Sequence, residues 1–150
     1  MKIYSRYHVV FEGEAEFAAI PTKNGEVGIL ENHIRLYSKL DDGIIRLKIG
    51  RKTEEFTCTG GILEVLPKEV RILVDSSENV EEIDETRAAE AVQKAQAAVK
   101  EARESRNASE FTRASYLLRK SRLRLSAAKR RAGTILELPV RIFENKRFRV

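Results

Sequence analysis

The sequence predicts a β-plus-α protein: an N-terminal β-sandwich followed by a C-terminal antiparallel two-helix hairpin. Three observations carry this reading. Seven of the eight Gly and two of the three Pro precede residue 68, and none of either falls between 68 and 132. Short apolar runs with turn residues between them fill the first part, as the strands of a sandwich or barrel require. From residue 81 the apolar period lengthens to that of paired helices. The 150 residues, 42% hydrophobic and 34% charged, exclude collagen-like, low-complexity and wholly disordered classes. No run approaches the ~18 apolar residues that a membrane span needs.

In chain order, the polar, strand-like Met1–Tyr7 is not an apolar leader, and Pro21 and Asn24-Gly25 mark an early turn. Ile44–Ile49 and Glu54–Thr59 flank a hairpin loop, Gly50-Arg51-Lys52-Thr53. Ile62–Leu66 and Val70–Val74 flank another, Pro67-Lys68-Glu69. The partial alternation of Leu63–Leu66 and of Val70–Val74 suits strands with one buried and one wet face. Residues 83–106 and 109–132 read as two helices, each ~36 Å long. The first carries Asp84, Ala88, Ala91, Ala95, Ala98 and Ala102 at alternating steps of four and three. The second carries Phe111, Ala114, Leu118, Ser121, Leu125 and Ala128 in the same manner. Both are seams of period 3.5, suited to helix-on-helix packing. Asn107-Ala108-Ser109 forms the turn, with Ser109 the expected N-cap, and Gly133 ends the second helix. Residues 134–150 contain Pro139 and two strand-like stretches, Val140–Phe143 and Arg147–Val150. The expected division is therefore 1–80, 81–132 and an extension at 133–150.

Charge is distributed unevenly. Residues 1–80 carry 11 Lys+Arg against 13 Asp+Glu, whereas residues 81–132 carry 13 against 8. A basic hairpin seeks an acidic partner, whether nucleic acid, a phosphate ligand or a protein surface. On the second helix, Arg113, Lys120, Arg124 and Arg131 fall at offsets of 7, 4 and 7, which places them on one face. Arg119, Arg122, Lys129 and Arg130 widen it. An Ala-lined seam removes little apolar area from water, so the hairpin must lean on the sandwich or on another protein. The two His, His8 and His33, are far apart in the chain, and no triad, Walker loop or metal-ligand motif is visible. The single Cys58 excludes an intramolecular disulfide and a cysteine zinc site, and points to a cytosolic setting.

Three motifs resemble a known family. Gly25-Glu26-Val27-Gly28-Ile29-Leu30 followed by His33 is similar to its Gly-Glu-Leu-Gly-Ile-Leu-Pro-Gly-His loop. Thr59-Gly60-Gly61-Ile62-Leu63-Glu64-Val65 is similar to its Ser-Gly-Gly-Phe-Leu-Glu-Val turn. Ile83-Asp84-Glu85-Thr86-Arg87-Ala88 fits the Ile/Leu-Asp-x-x-Arg-Ala signature that opens the first C-terminal helix. In this order, over residues 1 to about 132, they resemble subunit epsilon of the bacterial F-type ATP synthase. Glu31-Asn32 stands where the family has Pro-Gly, and Ile34-Arg35 where it has Ala-Pro.

The resemblance implies a non-catalytic rotor subunit of the central stalk, held peripherally at the cytoplasmic face of the membrane without insertion. Its sandwich would bind the gamma shaft and the c-ring, serving rotary ATP synthesis coupled to proton transport. Glu26, Gly28, Ile29, Leu30 and His33 are the implied c-ring contacts, although for His33 by itself a hydrogen-bonded loop residue is the preferred reading. Extended, the hairpin would enter the catalytic head and block ATP hydrolysis, with Arg113, Lys120, Arg124 and Arg131 meeting acidic side chains of a beta subunit. Moving such a switch from 1:99 to 99:1 takes ~5.5 kcal/mol of differential binding. No cofactor is required, but some family members bind a regulatory ATP on the compact hairpin. The matching positions here are Ile83, Asp84, Arg87, Lys120 and Arg124. As structure, Asp84 instead caps the first helix, and this is the preferred reading of Asp84 and Arg87. The competing class is a nucleic-acid-binding or adaptor protein built on the basic hairpin. Against nucleic acid stand the lack of a reading motif and the scarcity of hairpin aromatics, of which Phe111 and Tyr116 are the two.

Overall fold

A computed structural model describes residues 1–132. The strand-like stretches predicted at 140–143 and 147–150 lie outside the described residues. The strands are β1 (Lys2–Tyr4), β2 (Val9–Glu12), β3 (Phe17–Thr22), β4 (Gly25–Leu30), β5 (Leu36–Lys39), β6 (Gly43–Ile49), β7 (Lys52–Cys58), β8 (Gly61–Leu66) and β9 (Glu69–Val74). They form a five-stranded sheet, β2-β1-β9-β8-β5, and a four-stranded sheet, β4-β3-β6-β7. All pairings are antiparallel except β1 with β9, and the N-terminal strand lies inside the larger sheet, between β2 and β9. Between the sheets lies one apolar core that includes Ile3, Ile20, Ile45, Leu47, Phe56, Leu63 and Ile72.

The predicted hairpin loops are shorter than the sequence suggested. Ile49 pairs with Lys52 and Leu66 with Glu69, so the turns are Gly50-Arg51 and Pro67-Lys68. Gly50 takes φ +60, a value that suits a two-residue turn and lets Lys52 and Thr53 join the ladder. Gly61 explains its motif on steric grounds. Its φ is +119, and a Cβ there would lie 2.0 Å from the carbonyl oxygen of Leu73, so a side chain cannot be accommodated where β8 begins.

A 3₁₀ turn, Val80–Glu82, links the sandwich to α1 (Glu85–Glu104) and α2 (Ala108–Ala132). The helices are antiparallel, and the buried seam residues are Ala88, Ala95 and Ala102 facing Ala114, Ser121 and Ala128. Each set recurs every seven residues, as the 3.5 period requires. Three expectations are corrected here. Asp84 lies outside the helix as its N-cap, its carboxylate accepting from the Arg87 amide at 2.9 Å, and so does not enter the seam. Asn107, not Ser109, caps α2, since Asn107 Oδ1 accepts from the Glu110 amide at 3.2 Å. The first helix also ends two residues early. The amides of Arg106 and Asn107 bond back to the Arg103 and Ala102 carbonyls, and Arg106 sits at φ +55. These two bonds are a Schellman closure with arginine where glycine is usual. Arg106→Gly is therefore expected to stabilise the hairpin by up to about 1 kcal/mol, because it relieves left-handed strain; thermal unfolding of the full chain checks this.

Candidate functional sites

The sandwich has two ends and two outer faces, and they are chemically different. Strand β9 enters at one end and leaves at the other. At its entry end, Glu69 and Lys68 line an open cleft of about 820 Å³ with Leu30–His33, Gly50 and Glu14–Glu16. At its exit end, Asp75–Asn79 line a larger cleft of about 1440 Å³ against Thr112, Arg113, Tyr116, Lys120 and Arg124 of α2.

The predicted contact loop at the entry end is mostly an edge strand. Glu26, Gly28, Ile29 and Leu30 all belong to β4, which pairs only with β3. Strand alternation then divides them. Ile29 is 4% exposed and packs in the sandwich core, so it does not belong to a contact surface. Leu30 faces outward at 61% exposure. Gly28 lies under the Phe17 ring, whose Cε2 is 2.9 Å from where a Cβ would be. Glu26 accepts from Arg46 through both carboxylate oxygens at 2.6 Å. After Leu30 the chain turns through Asn32 at φ +60, and the His33 amide bonds back to the Leu30 carbonyl at 3.2 Å. His33 Nδ1 is 2.7 Å from the Ile34 carbonyl, so that nitrogen carries the proton and donates. Ile34, at 79% exposure, extends the apolar surface of the turn, and sequence reasoning missed it.

The outer face of the five-stranded sheet was also missed. Across the strands Val9, Tyr4, Leu73 and Ile62 stand side by side as an outward ladder. Val9 and Leu73 are each about half exposed. The next ladder is charged. Lys2 pairs with Glu12 at 3.0 Å, and Arg71 reaches Glu69 at 2.8 Å and Glu64 at 3.5 Å. Hydrogen bonding to Glu12 raises the Lys2 pKa, and bonding to Arg71 holds the Glu69 carboxyl below its ordinary value. The signal was present in Val70–Val74: on the wet side of that alternation stand Arg71 and the apolar Leu73. A continuous apolar stripe on an open sheet face marks an interaction surface.

The third site is the basic face of α2. Of its four predicted residues, two are bound within the chain. Arg124 donates to Glu78 through Nε at 2.6 Å and through Nη2 at 3.1 Å. Arg131 donates to the carbonyls of Val80 and Glu81 at 2.7 Å and of Ile83 at 2.9 Å. Arg113 and Lys120 line the larger cleft, where the Ser77 hydroxyl is buried without a partner among the described residues. Asp84 and Arg87, the other half of the expected nucleotide set, do not line this cleft. Ile83 is 1% exposed and packs with Val80, Ala88, Ala127 and Ala128, so its side chain serves the docking core and not a ligand. Among the described residues, no group of three or more His, Cys, Asp or Glu is placed to hold a metal ion, and no helix is long and apolar enough to cross a membrane.

Comparison with known proteins assigns the family. The beta-sandwich domain of the ATP synthase delta/epsilon chain matches residues 1–80, more than half of the chain. The chain belongs to this family. Among epsilon chains, that of Prochlorococcus marinus is 33% identical over 129 residues, 86% of this chain and 96% of the relative. That of Herminiimonas arsenicoxydans is 41% identical over 101 residues, 66% of this chain and 72% of the relative. A chain of the Euglena gracilis mitochondrial ATP synthase shares the fold, with a TM-score of 0.69 and 23% identity over 86% of this chain and 79% of that one.

Cys58 lies in the sandwich core. It is fully buried, and burial pushes its thiol pKa up to about 12, helped by the negative charges of Asp42, Asp75 and Asp41. Against an ordinary 9.0, this lowers the thiolate fraction near pH 8 about a thousandfold. Alkylation of the native chain at pH 8 should therefore be far slower than alkylation in denaturant, as mass spectrometry can measure. The sign of the linkage follows. The unfolded thiol releases its proton first, so this contribution to stability is present below pH 9 and lost as pH rises towards 12.

Proposed function

We propose that the chain is a central-stalk rotor subunit of a rotary ATP synthase, non-catalytic itself and held peripherally at the membrane by its partners. The family match over residues 1–80 carries this reading. The bare apolar ladder Val9-Tyr4-Leu73-Ile62 is its surface for the gamma shaft. An apolar stripe flanked by charge pairs fits a stable partner better than it fits water. The turn from Leu30 to Ile34, with Glu31 and His33, meets the c-ring. These surfaces differ in position, one on a sheet face and one at the end of the sandwich, so a single subunit can touch both partners and help pass proton-driven rotation to the head.

The hairpin is a regulator in this account. Closed on the sandwich it leaves the rotor free; extended, its basic face meets an acidic beta-subunit surface and stops ATP hydrolysis. Arg113, Lys120, Arg124 and Arg131 act in that second state. A regulatory ATP would use Lys120 and Arg124 at the exit-end cleft. There Arg124 would have to release Glu78 to bind a phosphate, and Asp84 and Arg87 would have to approach. The nucleic-acid reading has less support, because several arginines of α2 already point at the chain's own acidic groups.

The first test is recovery of partners by the tagged chain at native abundance. Gamma, alpha, beta and c subunits are expected, and nucleic acid or unrelated proteins without gamma would contradict the proposal. Leu73→Glu should abolish recovery of gamma while leaving the thermal unfolding of the isolated chain within about 1 kcal/mol, since it alters a surface position. Truncation after Val80 should keep gamma binding and raise the ATP hydrolysis rate of the reconstituted enzyme; an unchanged rate would remove the inhibitory role.

A further inference from the structure

The closed hairpin meets the sandwich through guanidinium groups as well as through apolar packing. Its apolar contact with the sandwich is a small cluster, Val80, Ile83, Ala88, Ala127 and Ala128, with Ile44 and Leu125 at the margin. Its three alanines contribute little at roughly 25 cal/mol per Å², so Val80 and Ile83 supply most of the apolar part. Against this, four arginines of α2 reach across. Arg119 is 3.5 Å from Asp42 and Arg130 is 3.7 Å from Glu55. Arg124 grips Glu78 by two bonds, with both side chains about one-third exposed or less. Arg131 differs in kind, because its acceptors are three backbone carbonyls of the linker itself, those of Val80, Glu81 and Ile83. The last turn of α2 thus fastens the segment about which the hairpin would have to swing.

We infer that these arginines form an internal latch, in which Arg131 locks the hinge and the acidic groups of the sandwich, Glu78 above all, compete with any acidic partner for the same guanidinium groups. The inference rests on the proposed reading that the hairpin detaches and offers its basic face to an acidic protein surface. It adds that Arg124 cannot bind Glu78 and such a surface at once, so partner binding and closure exclude each other through shared donors. The sandwich's own carboxylates then set how much affinity a partner must bring.

The two sides of the Arg124–Glu78 pair separate this inference from a merely structural role. Removing either partner breaks the latch, but only removal of Glu78 leaves the donors intact. The test uses the isolated full chain, labelled at Lys68→Cys in the β8–β9 turn and Lys94→Cys on the exposed side of α1, with polyglutamate as the acidic probe. Energy transfer reports closure, and titration reports affinity. Wild type should be closed at ~50 mM salt and open progressively towards ~500 mM, as the pairs are screened. Glu78→Gln and Arg124→Gln should both open the hairpin at low salt. Their affinities for polyglutamate should move in opposite directions: Glu78→Gln tighter, on the order of fivefold, and Arg124→Gln weaker. Arg131→Gln should open the hairpin as well. An unchanged label distance in Glu78→Gln, or affinities that shift in the same direction in the two variants, would overturn the latch. If Glu78→Gln fails to fold, Asp42→Asn and the salt titration of wild type read the same prediction. No other subunit is present, so failure here leaves the partner-recovery experiment untouched.

Discussion

The docking of α2 on the strip from Glu78 to Ile83 is the interaction on which the rest of the molecule's arrangement depends. The sandwich closes its own core between two sheets. The hairpin lacks such a core, since its buried seam consists of five alanines and one serine. Small side chains bring the helix axes close but release little apolar surface from water. Beside the apolar cluster around Val80 and Ile83, what ties the hairpin to the sandwich is directional and charged: a two-bond ion pair at Glu78, and a guanidinium shared among three carbonyls. Such contacts depend on geometry and salt in a way that apolar packing does not. A small apolar contact with charged fasteners gives an element that can be held firmly and still be released.

The sandwich supplies the fixed frame. Its β1 strand lies between β2 and β9, with the β1–β9 pairing parallel, so the N-terminal segment is tied into the larger sheet on both sides. That pairing also aligns Tyr4 with Leu73 and creates the outward apolar ladder. Strand alternation then assigns work by position: Ile3 and Ile72 fill the core while their neighbours Tyr4 and Leu73 face outward. The same alternation on β4 sends Ile29 inward and Leu30 outward. Turns and clefts gather at the two ends of the sandwich, so the proposed ring contact and the hinge lie at opposite ends of β9.

Much of this was legible in the sequence, for identifiable reasons. The loss of Gly and Pro after Pro67 marked the change from sheet to helix, and the seven-residue recurrence of Ala88, Ala95 and Ala102 marked the seam. The family motifs were readable because each has a backbone cause, as Gly61 shows by its φ and by its closeness to the Leu73 carbonyl. Strands β2 to β5 were not read: β2 and β5 have four residues each and carry too little periodicity, and the glycines at 25 and 28 gave β4 the look of a loop. The pairing of β1 with β9 joins segments about seventy residues apart in sequence, and no local pattern encodes it. The apolar ladder depends on that pairing and was missed with it. The charge imbalance was visible, but its resolution was not. Sequence showed a basic helix in search of an acidic partner, and much of that partner proved to be the chain's own Asp42, Glu55 and Glu78.

The most direct measurement of this account is a double-mutant cycle between Glu78 and Arg124, with Glu78→Gln, Arg124→Gln and the pair compared by hydrogen exchange of the hairpin amides at low and high salt. A specific two-bond ion pair in a partly shielded site predicts a coupling of about 1–2 kcal/mol at low salt that shrinks as salt rises. Additive single-variant effects, with no coupling at either salt, would mean that the Arg124–Glu78 pair does not hold the hairpin, and the charged docking at the centre of this account would be wrong.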